Sequence, residues 1–336
     1  MTHRVTGISK RHVRRQLRLP FFCIVLSAVV AAGCGGGGKN VAFERFEQLL
    51  FTTPPQSLRD VLRQNRARFS TPLLNVAPDN AAYMESVAAF VSDPVLQYVY
   101  HVTDSLYSDL GDVERGLGRA MARAEKLCPS MRYSSFFTLI TGDFDDYQNR
   151  VFCDQSTLCV SIDRYATPWL ERYQSFGVPL YQQRLLRREY IVPDCMAAVA
   201  RAHIAMPDGD MTLLDYAVAE GKTLYFMKRV LPGTPDTLLL RYSREQLRWM
   251  RDNTAGVWGW MIQNRVLFST DLGLFRNLVD EAPKTNTFGD GSAPRTAAYI
   301  GLQIVEAYMK KSRATVEQLF AETDSRLILE QSGWRP

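Results

Sequence analysis

The chain has 336 residues, 46% hydrophobic and 22% charged, a composition that excludes disordered and fibrous proteins and suffices for one large core. Its formal charge of +5 is concentrated at one end: residues 1–33 hold six basic side chains (Arg4, Lys10, Arg11, Arg14, Arg15, Arg18) and no acidic one. The remainder carries 34 Lys and Arg against 35 Asp and Glu, which removes nucleic acid as the default partner of the body.

The basic segment runs into an apolar stretch from Phe21 to Val30, too short for a membrane span of about 20 residues but suited to a signal peptide. Ala31-Ala32-Gly33 precede Cys34, and Gly35 to Gly38 follow. This resembles the lipobox of bacterial lipoproteins, in which small residues fit the peptidase and the Cys thiol accepts the lipid. The resemblance implies a lipoprotein signal peptide over 1–33, a lipidated Cys34 with a Gly-rich tether over 34–40, and a single globular domain over 41–336. It places the body on the non-cytoplasmic side, held to a membrane through its lipid.

Along the body, apolar spacing predicts helices over 40–55, 57–68, 78–91, 94–110 and 112–127. The period then changes. Segments 134–141, 150–153 and 158–163 are β-branched and aromatic and read as strands. Helical spacing returns over 181–190, 193–205, 211–230, 244–268 and 293–310. The expected fold class is α+β, mostly α-helical, with a small central β-sheet flanked by helices. Export permits disulfides, and a hairpin could set Cys153 across from Cys159; buried free thiols are the other reading.

Chemical motifs are sparse. The mature chain has two histidines, His101 and His203, far apart, so a His-Glu-x-x-His zinc site is excluded. There is no nucleophile elbow and no phosphate-binding glycine loop, and no cofactor is expected. Asp143, Asp145 and Asp146 form an acidic turn without EF-hand spacing. Asp163 closes a strand, as a turn-forming residue or a cleft wall. Glu220 and Lys222 flank Gly221, which marks either tight helix–helix packing or a groove wall where a partner backbone approaches. Gln303, among apolar neighbours, needs a hydrogen-bond partner, and it serves a structural network or a binding site. Asp271 reads as a helix N-cap. Trp258, Met261, Ile262 and Arg265 recur at helical spacing, with the tryptophans forming core.

A series of phrases resembles the gliding-motility lipoprotein B family (GldB) of the Bacteroidetes. In order they are Arg45-Phe46-Glu47, Ser161-Ile162-Asp163-Arg164-Tyr165, Thr212-Leu213-Leu214 and Glu220-Gly221-Lys222-Thr223-Leu224-Tyr225. Then come Leu238 to Tyr242 with Glu245-Gln246, Leu267 to Asp271, Ala282-Pro283, and Ile300 to Val305 with Tyr308-Met309. Departures occur at Lys284, at Ala293-Pro294 within Ser292-Ala293-Pro294-Arg295, and at Leu302, where members tend to carry Phe, Pro-Gly and Trp. The resemblance implies an envelope lipoprotein that supports gliding or the linked type IX secretion machinery by non-catalytic binding and assembly with other envelope proteins. A weaker resemblance, in the order of sheet, helix and Glu-bearing helix, is to zinc peptidases of the zincin type. The first of those helices, Pro193 to Ala205, has no metal ligands at the required spacing, which implies a metal-free scaffold whose cleft serves as a peptide- or protein-binding groove. The competing classes are an envelope hydrolase using Asp163 and Glu220, and a small-ligand binder with one deep apolar pocket.

Overall fold

The computed structural model describes residues 38–69, 74–142, 150–154, 156–169 and 178–336. The expected signal peptide, Cys34 and the acidic turn expected at Asp143, Asp145 and Asp146 lie outside the described residues. Gly38 to Asn40, assigned to the tether from sequence, pack against the body: the Lys39 amide donates to the Gly118 carbonyl at 3.0 Å, and its ammonium pairs with Glu125. A Cβ on Gly118 would stand 2.2 Å from the Lys39 carbonyl oxygen, so only glycine permits this seat.

Strand β1 (Glu44–Arg45) leads directly into α1 (Phe46–Thr52), where the sequence predicted one helix over 40–55. The difference has a local cause. Glu47, 1% exposed, accepts from Thr138 Oγ1 at 3.0 and 2.9 Å and from Arg45, which draws the preceding residues onto a sheet edge. Helices α2 (Leu58–Gln64), α3 (Arg66–Phe69), α4 (Ala81–Ser92), α5 (Pro94–Leu106) and α6 (Gly111–Leu127) follow. Asn80 and Asp93 cap α4 and α5 by accepting first-turn amides, and Pro94 occupies the start of α5, where its missing N–H costs nothing.

The sheet adds β2 (Ser135–Leu139), β3 (Val151–Cys153) and β4 (Thr157–Ser161) in the order β1-β2-β4-β3. β2 is parallel to β1 and β4, and β3 is antiparallel to β4. Every residue of β4 is buried, as expected of a central strand covered on both faces. Register also settles the cysteines. Cys153 lies opposite Leu158 and Cys159 opposite Phe152, so the two thiols take opposite faces and remain free, correcting the expected hairpin bridge.

The second half is helical: α7 (Leu180–Gln183), α8 (Ile191–His203), α9 (Leu213–Val230), α10 (Asp236–Leu240), α11 (Arg244–Gln263), α12 (Leu272–Leu278), α13 (Thr296–Ser312), α14 (Val316–Ala321) and α15 (Ser325–Ser332). Reciprocal capping boxes start α9 at Thr212 and Asp215, α11 at Ser243 and Gln246, and α14 at Thr315 and Gln318. Asp271 caps α12 by accepting from the Gly273 amide. Helix α11 ends five residues earlier than predicted and buries Leu247, Met250, Val257 and Met261. Ile262 is 49% exposed, Trp258 and Trp260 are half-buried at the core edge, and Arg265 lies beyond the helix end in a left-handed conformation.

Helices α9 and α13 form the closest pairing of the second half. A Cβ on Gly221 would stand 2.3 Å from the Gly301 carbonyl carbon, and one on Gly301 would stand 1.7 Å from the Ala217 carbonyl oxygen. Gly221 therefore serves helix packing and not a partner's approach. Helix α8 bridges the two halves, packing on β3, β4, α6 and α9. Its face toward the loop before α13 is where the chain's charged groups converge.

Candidate functional site

Four arginines from four separate segments line one cavity of about 230 Å³: Arg150 before β3, Arg201 on α8, Arg241 after α10 and Arg295 before α13. Glu220, Val279, Asp280 and Glu281 complete the lining, and Asp194 lies behind it, 4% exposed.

Glu220, Glu281 and Asp194 each face two guanidinium groups. Glu220, at the middle of α9, accepts from Arg201 Nε and Nη2 at 3.0 and 3.1 Å and from Arg295 Nη2 at 2.7 Å. Arg150 Nη2 donates to both Glu281 oxygens at 2.9 and 3.0 Å, and Arg241 pairs with Glu281 and with Asp194. Arg150 also approaches Asp194 at 3.7 Å. Tyr165, fully buried, donates to Asp194 at 2.7 Å, and Tyr107 donates to the Tyr165 carbonyl at 2.7 Å. The cluster is thus anchored into the core by a chain of hydroxyl groups.

Burial alone would raise the Glu220 pKa, but Arg201 and Arg295 outweigh it and hold the carboxyl at about 2. A carboxylate so stabilised is a poor proton acceptor at neutral pH. Burial, reinforced by Arg150, Arg295 and Arg201, pushes Arg241 down to about 9 against the pull of Asp194. Asp280, at the exposed edge, is raised by partial burial and by the nearby Glu220.

Two of these arginines occupy backbone that side chains disfavour. Arg241 has φ +62 at the end of α10, and Arg295 has φ +53 ahead of α13. Left-handed backbone at a non-glycine residue costs on the order of 1–2 kcal/mol. The loop before Arg295 is fixed by Thr285 Oγ1 donating to the Ala293 carbonyl at 2.8 Å and Ser292 Oγ to the Gly289 carbonyl at 2.7 Å. Tyr242 further donates to the Arg295 carbonyl at 3.3 Å.

Of the residues singled out from sequence, Glu220 lies at this site and the others do not. Asp163 is completely buried at the end of β4. It accepts from Ser161 Oγ at 2.7 Å and the Thr141 amide at 3.4 Å, and burial raises its pKa. It does not line the cavity, so the carboxylate pair required of a hydrolase using Asp163 and Glu220 is not assembled there. Lys222, 3% exposed, points instead to the C-terminal helices and donates to the Glu322 carbonyl. Gln303 donates to Glu306 on its own helix at 3.4 Å. The charged lining also differs from the apolar pocket that a small-ligand binder would need.

Sequence reasoning missed Arg150, Asp194, Arg201, Arg241, Glu281 and Arg295. One signal was available: Glu220 and Arg241 fall within the phrases that carry the family resemblance, and Arg295 is the retained end of the altered Ser292-Ala293-Pro294-Arg295 phrase. Among the described residues no group of three or more His, Cys, Asp and Glu side chains is arranged to hold a metal. On α8, the helix compared with zincins from sequence, Arg201 lines the cavity and meets the Glu220 of the following helix, while Asp194 lies behind the lining.

Comparison with curated proteins and with solved structures found no match. The family described as gliding motility protein GldB matches residues 38–336, from the docked Lys39 segment through the cavity to the last helix. The chain therefore belongs to the GldB family of gliding-motility lipoproteins.

Proposed function

We propose that this chain is a lipid-anchored protein of the cell envelope, on the non-cytoplasmic side, that supports gliding motility or the linked type IX secretion machinery by non-catalytic binding to other envelope proteins. Its anchor is diacylated Cys34; two or three acyl chains hold a protein firmly where one gives only marginal attachment. Because Gly38 and Lys39 already pack on α6, few residues separate lipid and body, and the body works close to its membrane.

The observation that carries the non-catalytic reading is the state of Glu220. It is the one sequence-selected carboxylate at the cavity, and two arginines hold it ionised at about 2. That environment suits recognition and not proton transfer at neutral pH.

The test is complementation of a deletion strain with the full chain and with Cys34→Ala, reading colony spreading, secretion and the proteins recovered from solubilised envelopes. The expected result is restoration and partner recovery by the full chain, both lost or reduced with Cys34→Ala. Equal restoration by the two forms contradicts the anchored role.

A further inference from the structure

We propose that the four-arginine cavity is the receptor for a carboxylate carried by a partner polypeptide, seated against Arg150, Arg201, Arg241 and Arg295. This rests on the binding reading above and adds the chemistry of what is bound.

The first ground is an excess of donors. A guanidinium carries five N–H bonds. Arg201 directs Nε and Nη2 to Glu220, Arg295 directs Nη2 to Glu220 and Nη1 to the Leu240 carbonyl at 3.4 Å, and Arg150 directs Nη2 to Glu281. Arg150 Nη1 has no partner although Arg150 is 4% exposed and lines the cavity. That donor is itself sealed from solvent, so the donors open to a ligand are the unused N–H groups of the half-exposed Arg201.

Charge then sets the kind of acceptor. The four guanidinium groups face Glu220, Glu281 and the Asp194 behind them, with Asp280 at the exposed edge. Four guanidinium groups against four carboxylates leave no net positive charge to hold a dianion, so what the lining offers an anion is its unused N–H donors. A phosphate dianion would meet the three lining carboxylates with twice the charge of a carboxylate ligand.

Shape and access agree. About 230 Å³ is small for a whole drug-sized ligand and suits the end of a side chain or of a polypeptide. Arg201 is half-exposed and forms the entrance, and its planar fork matches a carboxylate in two parallel hydrogen bonds. The left-handed backbone at Arg241 and Arg295 keeps both guanidinium groups on the cavity at a standing cost in stability.

The experiment is equilibrium dialysis of the full-length protein in detergent at low ionic strength against three radiolabelled probes. N-acetylglutamate α-amide presents a side-chain carboxylate, N-acetylglycine a terminal one, and inorganic phosphate the competing anion. The expected result is saturable uptake of one equivalent of one of the two carboxylates, which identifies the source. Affinity should fall by about tenfold or more in Arg201→Gln and in Arg201→Lys, which keeps the charge and loses the fork. Thermal unfolding shows whether each variant is folded, and the wild-type arm decides alone if neither is. Absence of saturable carboxylate uptake, preference for phosphate, or unchanged binding in both folded variants overturns the proposal. If partner recovery in the complementation test survives such a failure, only the cavity proposal falls; if both fail, the assembly reading falls with it.

Discussion

Glu220 and Lys222 are two residues apart on one helix and pull stability in opposite directions at neutral pH. Glu220 has its pKa lowered to about 2 from 4.5, so between those values the unfolded chain holds a proton that the folded chain does not. Stability therefore rises with pH through that window, and about 3 kcal/mol present at neutral pH is lost as pH falls toward 2. Glu220→Gln should remove this acid limb and destabilise the protein by about 3 kcal/mol at pH 7, because Arg201 and Arg295 lose their partner; urea unfolding across pH checks both. Lys222 has its pKa lowered to about 8 from 10.5, by burial first, against the opposing pull of Glu322 and Asp215. Its burial is a penalty below pH 8 that fades as pH rises to 10.5. Lys222→Met, which fills the same space without the charge, should abolish that rise and leave the protein at least as stable at pH 7, as urea midpoints would report. Neither environment was legible in the sequence. Glu220 and Lys222 look alike on a helical pattern, and what separates them is Arg295 and Glu322, 75 and 100 positions along the chain.

Elements were more legible than sites, and for local reasons. Helices α6 and α9 fall within two residues of their predicted ends because their start signals lie beside their apolar period: an acidic first turn in α6 and a capping box in α9. β1 was hidden because a two-residue strand carries no period, and its pairing depends on β2, more than ninety positions away. The hairpin of β3 and β4 was predicted, but its one-residue register was not, and that register decides the faces of Cys153 and Cys159. The crossing of α9 and α13 gives a sharp contrast among helical glycines. Gly301→Ala places a methyl group 1.7 Å from the Ala217 carbonyl oxygen, so the helices must part. A loss above about 3 kcal/mol, or failure to fold, is expected. Gly256 on α11 has nothing within 4 Å of its added Cβ, and Gly256→Ala should stabilise by about 0.5–1 kcal/mol. Thermal unfolding of the two variants beside wild type measures the difference.

At the scale of the molecule, charge is arranged in two places with different duties. In the proposed function the basic leader and Cys34 serve export and anchoring, a reading that rests on one contiguous stretch of sequence. The buried cluster was illegible because its arginines come from four segments and become neighbours only once α8, α9 and the loop before α13 pack together. That assembly joins the sheet half to the helical half through Tyr107, Tyr165 and Asp194, so a ligand at the cavity touches the junction of the fold. The measurement that tests the central claim most directly is affinity purification of tagged full-length protein from solubilised envelopes, wild type against Arg201→Gln, at matched abundance and with unfolding temperature determined for both. The account predicts that motility or secretion components co-purify with the wild type and fall by about tenfold or more with the folded variant, with colony spreading reduced in parallel. Recovery of the protein alone in both forms, or equal recovery of the same components by both, would contradict it.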